Sequence, residues 1–237
     1  MAMEETHRAR MSNAIGTWLI KLDGLQGWKE YRRNRLRHTL DFDDPFFMPS
    51  EPPDDFVFPP DMEKQHAIVT QYLGLQQTIE ALKECEFYFR RYPFRGLPVT
   101  RHAHITNVCE MYFGRFYEFK ERLKKYFNTI KAVEPHHTLE IGKFVKLFED
   151  VFDQELRARN NVHHHSRFED IVIDKVFLTD IFSNAADKRG WKQEHLAAYR
   201  KAANEWSKRV RARGAKMDEF LEATAGATLT VCGFLTS

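Results

Sequence analysis

Residues 138–160 read TLEIGKFVKLFEDVFDQELRARN, and the spacing of their apolar side chains decides the fold. Ile141, Phe144, Val145, Phe148, Val151, Phe152 and Leu156 recur at intervals of three and four, the period of one helical stripe. Glu134-Pro135 breaks whatever precedes, and Thr138 is a suitable N-terminal residue for the helix that follows. Arg157 and Arg159 emerge at the far end, where cations complement the helix dipole. One amphipathic helix over 138–160 is the expectation.

The same period extends in both directions. Upstream, Ile105, Val108, Cys109, Tyr112, Phe116, Phe119, Leu123 and Phe127 predict a long helix over 100–131. Ile68, Tyr72, Leu75, Ile79, Leu82 and Phe89 predict another over 62–92, ended by Pro93 and the Gly96-Leu97-Pro98 turn. Met11, Ile15, Trp18, Leu19 and Leu22 predict a helix over 4–22, interrupted by Gly24 and Gly27, and a basic helical piece follows over 28–40. Residues 41–61 differ in kind. Aspartates and prolines alternate with Phe42, Phe46, Phe47, Phe56 and Phe58, which reads as an extended strap packed on the helices. Downstream, Ile173, Phe177 and Ile181 favour a helix over 170–186, with a short strand at 171–178 as the alternative. A last long helix spans 189–223, and the small apolar tail beyond it docks on the core or on a second subunit. Strands do not alternate with helices, and no segment repeats. The expected fold is all-α: a single domain over 1–237, an antiparallel helical bundle of five to seven helices carrying the strap.

Composition narrows the classes. Twenty phenylalanines suit helix-on-helix packing. A net charge of +2 makes no global commitment to nucleic acid, so any RNA contact must be a local patch. Cys85, Cys109 and Cys232 are odd in number and widely spaced, which fits neither a disulfide framework nor a zinc pattern and points to a reducing cytoplasm. The charged start, residues 1–10, is no secretory signal, and no stretch is apolar enough to span a bilayer, so no membrane is expected.

Chemistry concentrates where the organising helix ends. Arg159-Asn160-Asn161-Val162-His163-His164-His165 places an arginine, two amides and three histidines in seven residues, followed by Ser166-Arg167-Phe168-Glu169-Asp170. Histidine both donates and accepts protons near neutral pH. A neighbouring arginine can hold a phosphate through two parallel hydrogen bonds. Together they suit phosphodiester chemistry that needs no metal and no cofactor.

Arg159, Asn160 and His164, an Arg-Asn pair, three spacers and a His at a helix end, resemble the motif of the HEPN superfamily. Arg167-Phe168-x-Asp170 is similar to a run in some uncharacterised bacterial members. The resemblance implies a metal-independent endoribonuclease of a toxin or phage-defence system. It also implies a homodimer whose two motifs form one composite site. In that reading Arg159, Asn160 and His164 are catalytic, and His163, His165 and Arg167 stand beside them as candidate substrate-binding residues. His163, His164 and His165 all lie within the tolerated spacing, so the register of the functional histidine stays open. RNA is the implied substrate, and an antitoxin or other defence protein would be a separate chain.

Four other readings stand beside this one. The motif could be a catalytically inactive HEPN-like module kept for nucleotide or protein binding. Arg33-Asn34-Arg35-Leu36-Arg37-His38 fits the same pattern, but it runs into the proline-rich acidic loop and is the less well placed match. A metal site is disfavoured, because consecutive histidines on a helix point about 100° apart. Finally, the cations of 188–213 are interleaved with Trp191, Tyr199 and Trp206, which suits either base stacking or a helix whose aromatics lie in the core.

Overall fold

Capping chemistry sets the helix boundaries. In this computed structural model, which describes residues 5–41, 54–94, 96, 98–164, 168–185 and 189–236, α1 spans His7–Asp23. Thr6 caps it by accepting the Ala9 N–H. Gly27 takes φ +81°, a left-handed value that glycine adopts without strain, and so turns the chain into α2, Trp28–Asp41. α3, Pro60–Arg90, opens on a proline, whose missing N–H is not needed at that position. The Thr100 hydroxyl accepts the Ala103 N–H at the start of α4, Arg101–Val133. α5 spans Ile141–Val151, α6 Asp153–His164, α7 Ile171–Ala185 and α8 Arg189–Val231. A 3₁₀ turn over Gly233–Leu235 ends the described chain.

Eight α-helices are therefore present among the described residues, and no strand. The count exceeds the expected five to seven in part because the organising helix is not continuous. It breaks at Phe152, whose backbone departs from helical geometry at φ −111°, ψ 23°. The offset leaves the Phe152 ring buried against Phe116, Phe148 and Phe220. Residues 171–178 are helix, not strand. α8 runs eight residues past the expected end at 223, because Thr224, Ala225, Thr228 and Leu229 continue its buried face.

The chain divides into two compact units. The first comprises Met1–Thr70, Thr129–His137 and Glu222–Ser237. In it Met11, Ile15, Trp18 and Leu22 of α1 are buried, and the tail buries Cys232 and Leu235. The Glu222 carboxylate accepts the first N–H groups of α1, from His7 and Arg8, which offsets the unpaired donors of that terminus. Trp28 gathers the end of the strap. Phe56 and Phe58 lie 5.1 and 5.2 Å from its ring, and Phe58 stacks on His66 at 4.7 Å. Burial holds His66 below its ordinary pKa, so the ring that stacks there is the neutral one. The remainder of the expected strap, 42–53, lies outside the described residues.

The second unit comprises Gln71–Asn128 and Thr138–Leu221. Every α4 stripe residue expected from the sequence is buried, from Ile105 to Phe127. Phenylalanine dominates: Phe119 stacks on Phe148 at 5.2 Å, and Phe148 meets Phe220 at 5.3 Å. Phe168 leads the chain into α7, with its ring 4.9 Å from Phe113 and 5.5 Å from Trp206. Asp170 then caps α7, its Oδ1 accepting the N–H groups of Val172 at 2.9 Å and Ile173 at 3.3 Å. Asp170→Ala is expected to lower stability by about 1 kcal/mol, whereas Asp170→Asn, which keeps an acceptor, should lose less. Urea midpoints for the two variants check this, and equal midpoints would remove the cap from its assigned role.

Candidate functional site

The C-terminal turns of α6 carry the residues singled out by sequence. Arg159 is half-buried and its guanidinium carbon lies 3.9 Å over the Tyr117 ring on α4. At that distance the cation lies over the aromatic face, worth about 0.5–1 kcal/mol at such a site. The guanidinium keeps N–H groups free to donate. One of them, on Nη1, donates to Oδ1 of the exposed Asn160 at 3.3 Å. Lys120 Nζ lies 5.2 Å from the same ring. Arg157, two residues earlier, is exposed and paired with Asp153 at 2.8 Å. Arg159 is therefore the α6 arginine held in place by an aromatic support.

His163 and His164 have their backbone on the last turn of α6. Their side chains, together with His165 and Arg167, lie outside the described residues. Phe168 and Asp170 serve the fold, the first as a ring packed between α4 and α8 and the second as the α7 cap. Those two contacts fix the chain a few residues beyond the histidines. His136 and His137 lie in the turn that follows α4.

Beneath the site is a charge cluster that sequence reasoning missed. Glu155 has no solvent exposure. Its Oε1 accepts from Arg209 Nη2 at 3.2 Å and from Arg213 Nε at 3.0 Å, both on α8. Glu155 Oε2 and the Tyr112 hydroxyl are buried without a hydrogen-bond partner among the described residues. Burial pushes the Tyr112 hydroxyl far up from its usual range, and the Glu155 charge adds to the effect, so this phenol stays protonated. A hollow of about 140 Å³ lined by Asp170, Glu205, Trp206 and Arg209 opens beside the cluster. The signal was present in the sequence. Phe148, Phe152, Glu155 and Arg159 are spaced four, three and four apart, so Glu155 occupies an apolar-stripe position. An acid in that register needs a cation from another element.

The second sequence match sits elsewhere. Arg33 is exposed on α2 and His38 is half-buried. Arg33 joins Trp28, Lys29, Tyr31, Arg32 and Arg35 around an open cleft of about 590 Å³. On α8, Tyr199 and Trp206 are buried, so those aromatics face the core, while Trp191 remains partly exposed. The three thiols are buried, and burial pushes Cys85 up to about 11 and Cys232 up to about 12, far from nucleophilic thiolates at neutral pH. No helix among the described residues is long and apolar enough to cross a membrane. No protein-family model matches the chain, and no curated protein or solved structure is detectably similar to it.

Proposed function

We propose that this chain is a metal-independent endoribonuclease of HEPN type, acting in a cytoplasmic toxin or phage-defence system on an antiparallel helical bundle. The observation that carries the reading is the Arg159 guanidinium, lying over Tyr117 and joined to Asn160, at the end of α6 beside three consecutive histidines. In this reading Arg159 holds the scissile phosphate and stabilises the charge that builds on it. His164 assists proton transfer between the 2′-hydroxyl and the departing oxygen. The 2′-oxygen forms a bond to phosphorus, the bond from phosphorus to the 5′-oxygen breaks, and the proton ends on that 5′-oxygen. Asn160 orients the arginine, and His163, His165 and Arg167 contact substrate. Two copies supply the two halves of a composite site, and an antitoxin or defence protein restrains it.

The test is incubation of end-labelled RNA with the purified chain in excess chelator. Cleavage products ending in 2′,3′-cyclic phosphate are expected, at a rate that chelator leaves unchanged. Activity abolished by chelator and restored by a divalent metal would transfer the histidines to a ligand role and end the proposal.

A second reading, a binding module without cleavage, draws on the α2 cleft. There Lys29, Arg32, Arg33 and Arg35 line one cleft with Tyr31, a combination that holds phosphates and offers a ring to a base in single-stranded nucleic acid, with the buried Trp28 behind it. Tight RNA binding with no product at any enzyme concentration would favour it.

A further inference from the structure

α7 buries one face against its own unit and leaves the other apolar face in solvent. Ile173, Val176, Thr179 and Ser183 point inward. The outward positions are Ile171, Phe177, Leu178, Ile181 and Phe182, the last four each 47 to 51 % exposed and Ile171 85 % exposed. Leu178, Ile181 and Phe182 are spaced three and four residues apart, so they form one ridge. Trp191 extends it, its ring stacked on Phe182 at 4.8 Å. Single exposed apolar side chains are ordinary, but a contiguous ridge of them marks an interaction surface.

We infer that this face is where a second copy of the chain docks, helix α7 against helix α7 about a two-fold axis. The inference rests on the homodimer in the reading above and stands without its ribonuclease chemistry. Half-exposed side chains of this size, with Ile171, offer on the order of 500 Å² per copy, and two copies about 1,000 Å², where specific interfaces begin. A ridge spaced three and four apart fits the groove of its own symmetry mate, which makes the contact self-complementary. Charge excludes the competing occupants. From Phe177 to Phe182 the outward positions carry no charge, since Asp180 faces His195 at 3.6 Å. At the rim Lys175 is paired with Glu194 at 2.6 Å. Among the described residues, the positions of α7 from Phe177 to Phe182 offer no cation to draw a phosphate backbone or an anionic lipid surface.

Light scattering coupled to size exclusion tests the inference. The wild-type chain should have twice the 28.1 kDa monomer mass at micromolar concentration. The double variant Leu178→Glu and Ile181→Glu should fall to the monomer mass with unchanged helical circular dichroism. A monomeric wild type would overturn the α7 contact and the composite site with it. A double variant that stays dimeric would overturn the α7 contact alone and leave the dimer reading in place. Should the double variant fail to fold, single cysteines decide. The native thiols are all buried, so Leu178→Cys or Ile181→Cys should form a disulfide-linked dimer on mild oxidation. Leu147→Cys, 54 % exposed on α5, should not. Absence of the cross-link at both α7 positions overturns the proposal.

Discussion

Arg159→Ala and His164→Ala are each expected to reduce RNA cleavage by about 100-fold or more while leaving the helical circular dichroism signal intact. Loss of one charge-stabilising donor typically costs about 10²–10³ in rate, and loss of a general acid or base about 10²–10⁴. The stability cost should be small by comparison. Arg159 gives up a cation–π contact with Tyr117, about 0.5–1 kcal/mol, and one hydrogen bond to an exposed amide. The support residue separates the two effects. Tyr117→Phe keeps a ring under the guanidinium and should retain most activity, whereas Tyr117→Leu removes the platform and should lower the turnover of bound RNA. His163→Ala and His165→Ala should be milder than His164→Ala if the three-spacer register is the functional one. Arg33→Ala and His38→Ala, on α2, should leave cleavage unchanged. Dead α2 variants beside fully active Arg159 and His164 variants would move the assignment to the α2 cleft.

Helix periodicity made most of the architecture legible, because the stripe residues of α3 and α4 are chemically uniform. Ile79, Leu82, Phe116 and Phe119 declare their burial by type as well as by spacing, and all four have no exposure. The break at Phe152 was not legible. Its spacing from Phe148 is a perfect helical four, and only the crowding of Phe116, Phe148 and Phe220 around one ring shows why the backbone steps out of register there. Arg159 and Asn160 were found through their order in the chain, which is local information. Tyr117 was not, because it lies 42 positions upstream (159 minus 117) on another helix, and nothing in α4 distinguishes a half-buried tyrosine that carries an arginine from one that merely packs. Asp170 was read as part of a motif run, and its hydrogen bonds assign it to capping α7.

Glu155→Ala is expected to be the most destabilising single change in the charge cluster, by about 3 kcal/mol, because it leaves two guanidinium groups beside a buried gap. Arg209 and Arg213 both converge on Oε1 of a carboxylate with no exposure, and Arg209 is also walled by Trp206 at 4.8 Å. Neither arginine is fully buried, so both can turn partway toward water, which holds the loss near the lower end of the range for breaking a buried pair. For a chain of this length about 3 kcal/mol corresponds to roughly 6–12 °C in the thermal midpoint. Glu155→Gln should cost less, since the amide oxygen can still accept from both arginines, although it puts two donors at the Oε2 position, which has no hydrogen-bond partner among the described residues. Removing the cations instead sorts the contributions. Arg213→Ala leaves Arg209 on the carboxylate and should cost less than Glu155→Ala, while Arg209→Ala together with Arg213→Ala leaves a bare buried anion and should cost as much or more. Calorimetric midpoints for the four variants check the order. A Glu155→Ala midpoint within about 2 °C of wild type, less than 1 kcal/mol, would mean that the arginines are adequately solvated without it. The cluster would then not hold α6 to α8, and the ring contact of Phe152, immediately before α6, with Phe220 of α8 would be left to set that distance.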